Sequence, residues 1–442
     1  MIKQGDNQEQ NNTNEENTPS MTSEDLRSEV VTVVLTADNH LGYDAFGPHK
    51  REEWQRHLRN AFQQATNFAI AQRADLFIQA GDLFDTTAPD ERDRSFVAAR
   101  LAQLKQAGVR AITLGGVHDA LSDAQDGNST PAPQISYAQL GALQYLPLIH
   151  KGQTAETEAL EPLLLDIHGI LVGVCGLGIL ADQEGDPLAH LRVQSEIEHA
   201  AIPILVLHAP IEGLTNGTSR LDMRAQVSRN SIEQQTTFRY ILAGYQHTYS
   251  HTHIGQTDVI VAGATLSTRN VTTPGNDQAP GFVFMGLAAD GVRWCNHVSV
   301  DALQLQRLVI STKELWSESA TSSPTERILE QLEPLCGPEA ILQLRLEGEL
   351  TRMQYHQLDL NKIRRCGEEH CFALFIDDSD LSLLVEQDAV VAETGERLSP
   401  REELIAVADE WIDATDDEQE KKALRNTKED LLLAMDDSRG KR

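Results

Sequence analysis

From Val31 onward, apolar runs alternate with stretches of helical period, and run after run breaks at an acidic or imidazole side chain. Val31-Thr-Val-Val-Leu-Thr36 leads into Asp38-Asn-His40-Leu-Gly42, and Leu76–Ala80 into Gly81-Asp82-Leu-Phe-Asp85. Arg110–Leu114 leads into Gly115-Gly116-Val117-His118-Asp119. Further on, Ile202-Pro-Ile-Leu-Val-Leu ends in His208, and Tyr240-Ile-Leu-Ala-Gly244 runs into Tyr245-Gln-His247. Short β-rich runs with no polar alternation are the pattern of strands buried on both faces, as in a parallel sheet. Between the first three lie helices over 50–72 and 90–106, the former with Trp54, Leu58, Phe62, Ala65, Phe68 and Ala69 mostly at three- and four-residue steps. Strand-helix alternation implies a largely parallel α/β sheet, whose ligands gather beyond the carboxyl ends of its strands.

After a polar, Pro- and Gly-bearing loop at 119–134, the runs 163–168, 170–176, 259–262 and 282–287 shorten and suggest a second sheet packed on the first, closing near Val300. A smaller α+β unit follows, with strands at 304–311, 341–346 and 371–376 and helices at 324–335 and 351–365. Beyond Ser399-Pro-Arg-Glu402, a capping signature with Pro at the first helical position, the pattern turns helical and acidic. Leu404, Ile405, Ala408, Trp411 and Ile412 form one apolar stripe, and 431–435 begins another. Residues 1–28 are polar and read as a disordered tail. The expected domains are therefore 1–28, 29–300, 301–385 and 386–442.

Composition narrows the setting. No window reaches the eighteen apolar residues of a membrane span, and the N-terminus lacks the apolar core of a signal peptide, so a soluble, cytoplasmic protein is expected. Cys175, Cys295, Cys336, Cys366 and Cys371 are odd in number and show no CxxC pairing, which argues for free thiols over a disulfide framework or zinc ribbon. The net charge of −30 opposes any reading in which the chain alone grips phosphates. Bound cations or a more basic partner would have to supply the positive charge.

One Asp-x-His after a strand is commonly a turn with a capping Asp. Five strand ends delivering Asp or His are a different matter, because carboxylate and imidazole together suit Mn, Fe or Zn. The ordered set Asp38-x-His40, Gly81-Asp82, Gly-x-x-His118-Asp119, His208 and Gly-x-x-His247 resembles the calcineurin-like metallophosphoesterases. The fuller strings Thr-Ala-Asp-Asn-His-Leu-Gly and Gly-Asp-Leu-Phe-Asp, with Gly263-Ala-Thr-Leu-Ser-Thr-Arg269 and Pro280-Gly-Phe-Val-Phe, are similar to SbcD-like DNA double-strand-break repair nucleases.

That resemblance implies a two-sheet phosphoesterase sandwich flanked by helices, a small α+β capping domain and a helical C-terminal tail. It implies a first metal site of Asp38, His40, Asp82 and His247, with His118 as the acid that protonates the leaving oxygen. A second site would share Asp82 and use His208, but its other two ligand positions hold Val117 and Tyr245. Val117 offers no lone pair, and a phenol of pKa ~10 is a poor ligand. One firmly held divalent ion, Mn2+ by the resemblance, is expected, with a much weaker second. His251 and His253 in Tyr249-Ser-His-Thr-His are weighed as substitutes against the plainer reading of two exposed loop histidines.

The resulting expectation is a metal-dependent DNA exo/endonuclease subunit of an SbcCD-like complex, partnered by DNA and a coiled-coil ATPase of the SbcC type through the tail. Whether it forms a homodimer is left open. Its rivals are a catalytically impaired scaffold for the same ATPase and, less favoured, a small-molecule phosphodiesterase.

Overall fold

A computed structural model describes residues 29–120, 131–146, 159–179, 184–214, 225–266, 279–316 and 322–384, together with the isolated helical positions 405, 412, 421, 424, 425, 427 and 428. The apolar runs form the strands that their composition predicts: β1 (Val31–Thr36), β2 (Leu76–Ala80), β3 (Arg110–Leu114), β4 (Gln144–Leu146), β5 (Leu163–Ile167), β6 (Ile170–Gly178), β7 (Ile202–His208) and β8 (Tyr240–Gly244). They are followed by β9 (Ser250–Ile254), β10 (Thr257–Val261), β11 (Gly281–Ala288) and β12 (Gly291–Ser299).

Among the described residues these make two six-stranded sheets, ordered β12-β11-β1-β2-β3-β4 and β5-β6-β7-β8-β10-β9. In the first, β1 to β4 run parallel, with Val34 opposite Phe77 and Ile78 opposite Ile112, while β11 and β12 add antiparallel edges. In the second, β6, β7, β8 and β10 are parallel between antiparallel edges β5 and β9. A core of Val33, Leu35, Ile78, Leu114, Val174, Ile204, Val206, Leu242, Ile260 and Val283 joins strands of both sheets.

Helix α1 (Arg51–Gln72) buries the stripe of Trp54, Leu58, Phe62, Ala65 and Ala69, joining a second cluster with Phe77 and Val97. It ends at Arg73, whose left-handed φ of 53° lets its N–H close on Ala69 and Ile70 carbonyls. Helix α2 (Glu91–Gln106) starts where the Asp90 carboxylate accepts the Asp93 N–H. Short helices α3 (Gln134–Gln139) and α4 (Arg229–Gln234) complete the sandwich.

The later elements are α5 (Thr312–Leu315), α6 (Pro324–Leu332), α7 (Arg352–His356) and α8 (Leu360–His370), with a three-stranded sheet β13-β14-β15 of Gln304–Ser311, Ala340–Thr351 and Ala373–Leu384. The chain divides into two compact units, 1–348 with 357–381 and 349–356 with 382–442.

Some expectations need correction. The helix expected over 351–365 is broken, because the Asp359 carboxylate caps a new start at Leu360 by accepting the Lys362 N–H at 2.8 Å. His251 and His253 stand on edge strand β9 rather than in a loop. Strands β4 and β12 lay outside the expectation. The tail stripes fall outside the described residues, apart from helical Ile405 and Ile412, and so do the disordered-tail reading of 1–28 and Arg269. No helix among the described residues is long and apolar enough to cross a membrane.

Candidate metal centre

The site begins where β1, β2 and β3 end. Their loops are laced by main-chain bonds, Asp38 N–H to Gly81 O at 3.0 Å, His40 N–H to Asp82 O at 3.1 Å and Leu41 N–H to Leu83 O at 3.0 Å. Asp38, His40 and Asp82 all take positive φ, at 48°, 43° and 53°. Such backbone is uncommon outside Gly, although Asn, Asp and His tolerate it best. A buried polar network supports the turns. The Asn39 amide donates to Thr36 and Thr265 hydroxyls, Gln79 donates to Asn39 and Gly81 carbonyl groups, and the Thr113 hydroxyl donates to Gln79.

The second sheet contributes from above. His208, at the end of β7, is fully buried and donates from Nδ1 to Ala80 O at 2.8 Å, which leaves Nε2 facing Asp82 Oδ2 at 3.2 Å. His247, beyond β8, places Nε2 3.8 Å from Asp38 Oδ1. His40 Nδ1 bonds Asp85 Oδ1 at 3.0 Å, and its Nε2 faces Asp82 Oδ2 at 3.9 Å. His118 sits on the same carboxylate, Nδ1 to Asp85 Oδ1 at 3.4 Å, and is the more open group, with 43% of its side chain accessible. Its main-chain N–H donates to Asp82 Oδ1 at 2.8 Å.

Among the described residues, three sets of side chains have donor atoms close enough to hold one cation: Asp38, His40 and His247; Asp38, Asp82 and His208; and His40, Asp85 and His118. All six residues named from the sequence as ligands or acid thus converge. The fit to a cation rests on two buried atoms: Nε2 of His40 and of His208 point at carboxylates, yet neither makes a hydrogen bond. A buried nitrogen without a partner is costly, and a metal ion would satisfy both.

The electrostatics agree. Burial lifts the Asp38 carboxyl to about 6, with Asp82 adding to the rise against the pull of His208 and His40. Burial also disfavours Asp82 as an anion, but the surrounding imidazoles of His208, His40 and His118 outweigh it and hold that carboxyl well below its ordinary range. His208 is depressed by burial and then lifted, on balance to about 9, by Asp82 and Asp38. His118 rises to about 9 chiefly through its hydrogen bond with Asp85. Carboxylates that need counter-charge and imidazoles drawn to them are the donor set for a divalent cation, which would take over the role of the protons.

The positions read as degenerate are present at the same place. Val117 is half-buried and packs with Tyr245 against the apolar cluster of Leu177, Leu207 and Val261. Tyr245 takes φ of 79°, turns its N–H onto the Asp38 carboxylate at 3.0 and 3.2 Å, and sets its ring edge-on to His208 at 5.6 Å. His251 and His253 are elsewhere, both against Asp258 at 3.5 and 3.2 Å, and among the described residues they join none of the three sets.

Two residues quoted within the sequence motifs were given no role there. Asp85 orients both His40 and His118, and its only sequence signal was its place closing Gly-Asp-Leu-Phe-Asp. Asp119 is fully buried, accepts the Gly116 and Phe84 N–H groups and the Gln134 amide, and so ties the β3 loop to the β2 loop.

Residues 31–253 match the calcineurin-like phosphoesterase family. The chain belongs to the calcineurin-like metallophosphoesterases. Within this family it is similar to the DNA double-strand break repair protein Mre11 of Halobacterium salinarum, 25% identical over 236 residues that make up 53% of this chain and 51% of that protein. The Mre11 of Sulfurisphaera tokodaii is 32% identical over 88 residues, 20% of this chain and 22% of its own. The chain therefore spans about half the length, or less, of these relatives. A dimetal phosphatase from Danio rerio is 12% identical with a TM-score of 0.36, covering 61% of this chain and 99% of its own, a likeness too slight to bear on activity. The chain is thus a calcineurin-like phosphoesterase with an Asp/His cluster suited to a divalent metal.

Proposed function

We propose that this chain is the nuclease subunit of an SbcCD-like double-strand-break repair complex, hydrolysing DNA phosphodiester bonds with water. The observation that carries the reading is the convergence of Asp38, His40, Asp82, His208 and His247 around two unpartnered imidazole nitrogens, with His118 open to solvent beside them. Asp38, His40, Asp82 and His247 would hold one ion firmly, Mn2+ by the family resemblance. His208 and Asp82 would offer a second ion only half of a shell. Bound there, a divalent cation supplies positive charge against phosphate oxygens and acidifies the attacking water.

The chain's own residues do the rest. Asp82, reached by both sheets, fixes the spacing of the imidazoles. The main-chain N–H of His118 is tied to Asp82, so the ring cannot drift from the cluster, and Asp85 keeps that ring protonated near neutral pH. His118 can then give its proton to the leaving oxygen, the role of a general acid. Asp119 holds the loop that carries it. A capping domain at 301–385, DNA as substrate and an ATPase of the SbcC type belong to the same proposal, prompted by the Mre11 relatives.

The second reading is a scaffold for that ATPase with little turnover, and the specific observation in its favour is Val117 packed into apolar surroundings where a ligand would be needed. Mn-dependent cleavage of labelled linear DNA by the purified chain, beside Asp82→Ala, separates the two. Turnover abolished in the variant supports the nuclease. Equal silence of both preparations, with an ATPase partner present, supports the scaffold.

A further inference from the structure

Two cysteines far apart in sequence meet beside the β13-β14-β15 sheet. Cys336 closes the 3-10 turn Glu333–Leu335 that continues α6, and Cys371 caps the end of α8. Their Sγ atoms are 2.9 Å apart, and both are free thiols. A disulfide bond is about 2.05 Å long, so less than an ångström of approach separates the pair from bonding distance. Main-chain bonds fix both carriers: Cys336 N–H to Leu332 O at 3.1 Å, Cys371 N–H to Gly367 O at 2.9 Å and Phe372 N–H to Ala340 O at 2.9 Å. Cys371 is buried and Cys336 half-buried, so a small reagent reaches the pair from the Cys336 side. Cys175 and Cys295 are placed otherwise: the first is fully buried on β6, and the second faces the Tyr249 hydroxyl at 3.7 Å.

We propose that Cys336 and Cys371 are a redox modification site, a thiol pair that a peroxide-class oxidant converts reversibly to a disulfide. Peroxide attacks first at the more open Cys336: a sulfur–oxygen bond forms, the oxygen–oxygen bond breaks, and the departing hydroxide leaves as water with the thiol proton. Cys371 Sγ then attacks the Cys336 sulfenic acid, the sulfur–sulfur bond forms, and the hydroxyl leaves as a second water with the Cys371 proton. Two thiols have given up two electrons, and one peroxide has become two waters. A thiol reductant reverses the step by exchange. Burial and the neighbouring Cys371 thiol hold Cys336 up at about 12, so little thiolate exists at neutral pH. The resting form is therefore the dithiol, and the pair answers sustained oxidant rather than a brief pulse. It shares no residue with the Asp/His cluster and stands independently of the nuclease reading.

The bond would brace a seat. The carbonyls of Cys371 and Phe372 both accept the Lys50 ammonium at the start of α1. The Phe372 ring packs against Phe46 at 5.1 Å, His57 at 5.7 Å and Trp54 at 6.3 Å. Residues 371 and 372 are thus the segment through which the small sheet rests on α1, and a disulfide ties that segment to the end of α6. Closing the loop from 336 to 371 also restricts the unfolded chain, which adds to stability.

The test incubates the folded full chain with hydrogen peroxide, quenches it with an alkylating reagent and digests it without reduction. A peptide pair joined through Cys336 and Cys371, lighter by two hydrogens than the separate thiol peptides, should appear in the mass spectrum and vanish on treatment with a phosphine. Cys336→Ser should abolish it and Cys366→Ser should leave it. Oxidised wild type should melt about 5 °C or more above the reduced protein. Hydrogen exchange at 371–376 should slow severalfold, and neither change should occur in Cys336→Ser. Should that variant fail to fold, the wild-type cross-link map decides alone. Both cysteines recovered alkylated after prolonged peroxide, Cys336 driven to sulfinic acid without a cross-link, or a cross-link from Cys366 in its place would each overturn the site. A cross-link that leaves wild-type melting and exchange unmoved overturns the bracing role.

Discussion

His118 faces solvent while the side chains around it are buried, and Asp85 sets its proton affinity. An acid raised to about 9 is charged below that pH and loses its proton as pH climbs through it, so DNA cleavage should hold through neutrality and fall near pH 9. Asp85→Asn removes the first cause of the rise. The basic limb of the rate profile should then shift down towards the ordinary imidazole range near ~6.5, and metal affinity should weaken as well, because Asp85 also orients His40. A limb that stays in place would show that His118 is not the acid. At positions 117 and 245, metal counting by mass spectrometry should find one tightly held ion. Val117→Asn with Tyr245→His should add a second and raise Mn-dependent cleavage by about a hundredfold, with either change alone doing less. The residues that gather at the cluster were legible because Asp and His at strand ends have few other reasons to recur. Asp85 and Asp119 were not, since an acid that orients an imidazole or staples a loop looks, in sequence, like any turn aspartate.

At the scale of elements, the parallel strands other than the three-residue β4 could be read nearly to the residue, because burial on both faces leaves an unbroken apolar run. Edge strands fared unevenly: β5 and β13 could be read at 163–168 and 304–311, but β9 and β12 could not. β9 and β12 are partly solvated, so Ser250-His-Thr-His and Gly291-Val-Arg-Trp carry the polar marks of loops. The split of 351–365 was hidden for another reason: Asp359 as a helix cap and Asp359 as a solvated helix residue are the same letter. What joins elements at the site is glycine. Gly81, at φ of 93°, lies so close to His208 that an added Cβ would sit 2.1 Å from its Nδ1, and one at Gly244 would meet Ala80 O at 2.2 Å. Gly81→Ala combines forbidden backbone with that clash. It should lower Tm by about 4 °C or more and abolish tight metal binding, read by calorimetry and metal analysis. Uptake equal to wild type would show that the sheets have slack there.

For the whole molecule, a net charge of −30 is hard to reconcile with unaided DNA binding, and a basic partner is the simplest resolution. Deleting Ser399–Arg442 should abolish co-purification with an SbcC-type ATPase and leave metal binding intact. Retained binding would remove the tail from that role. Sequence alone conveyed the two-sheet plan, but not how the halves of the site are shared between layers. Asp38, His40, Asp82 and His118 ride on the first sheet, His208 and His247 on the second. The shared site is therefore a gauge of shear. Sliding one layer over the other by an ångström would leave each strand intact while parting donors that must meet, so a core truncation such as Ile260→Ala, outside the cluster, registers in metal affinity before it registers in folding.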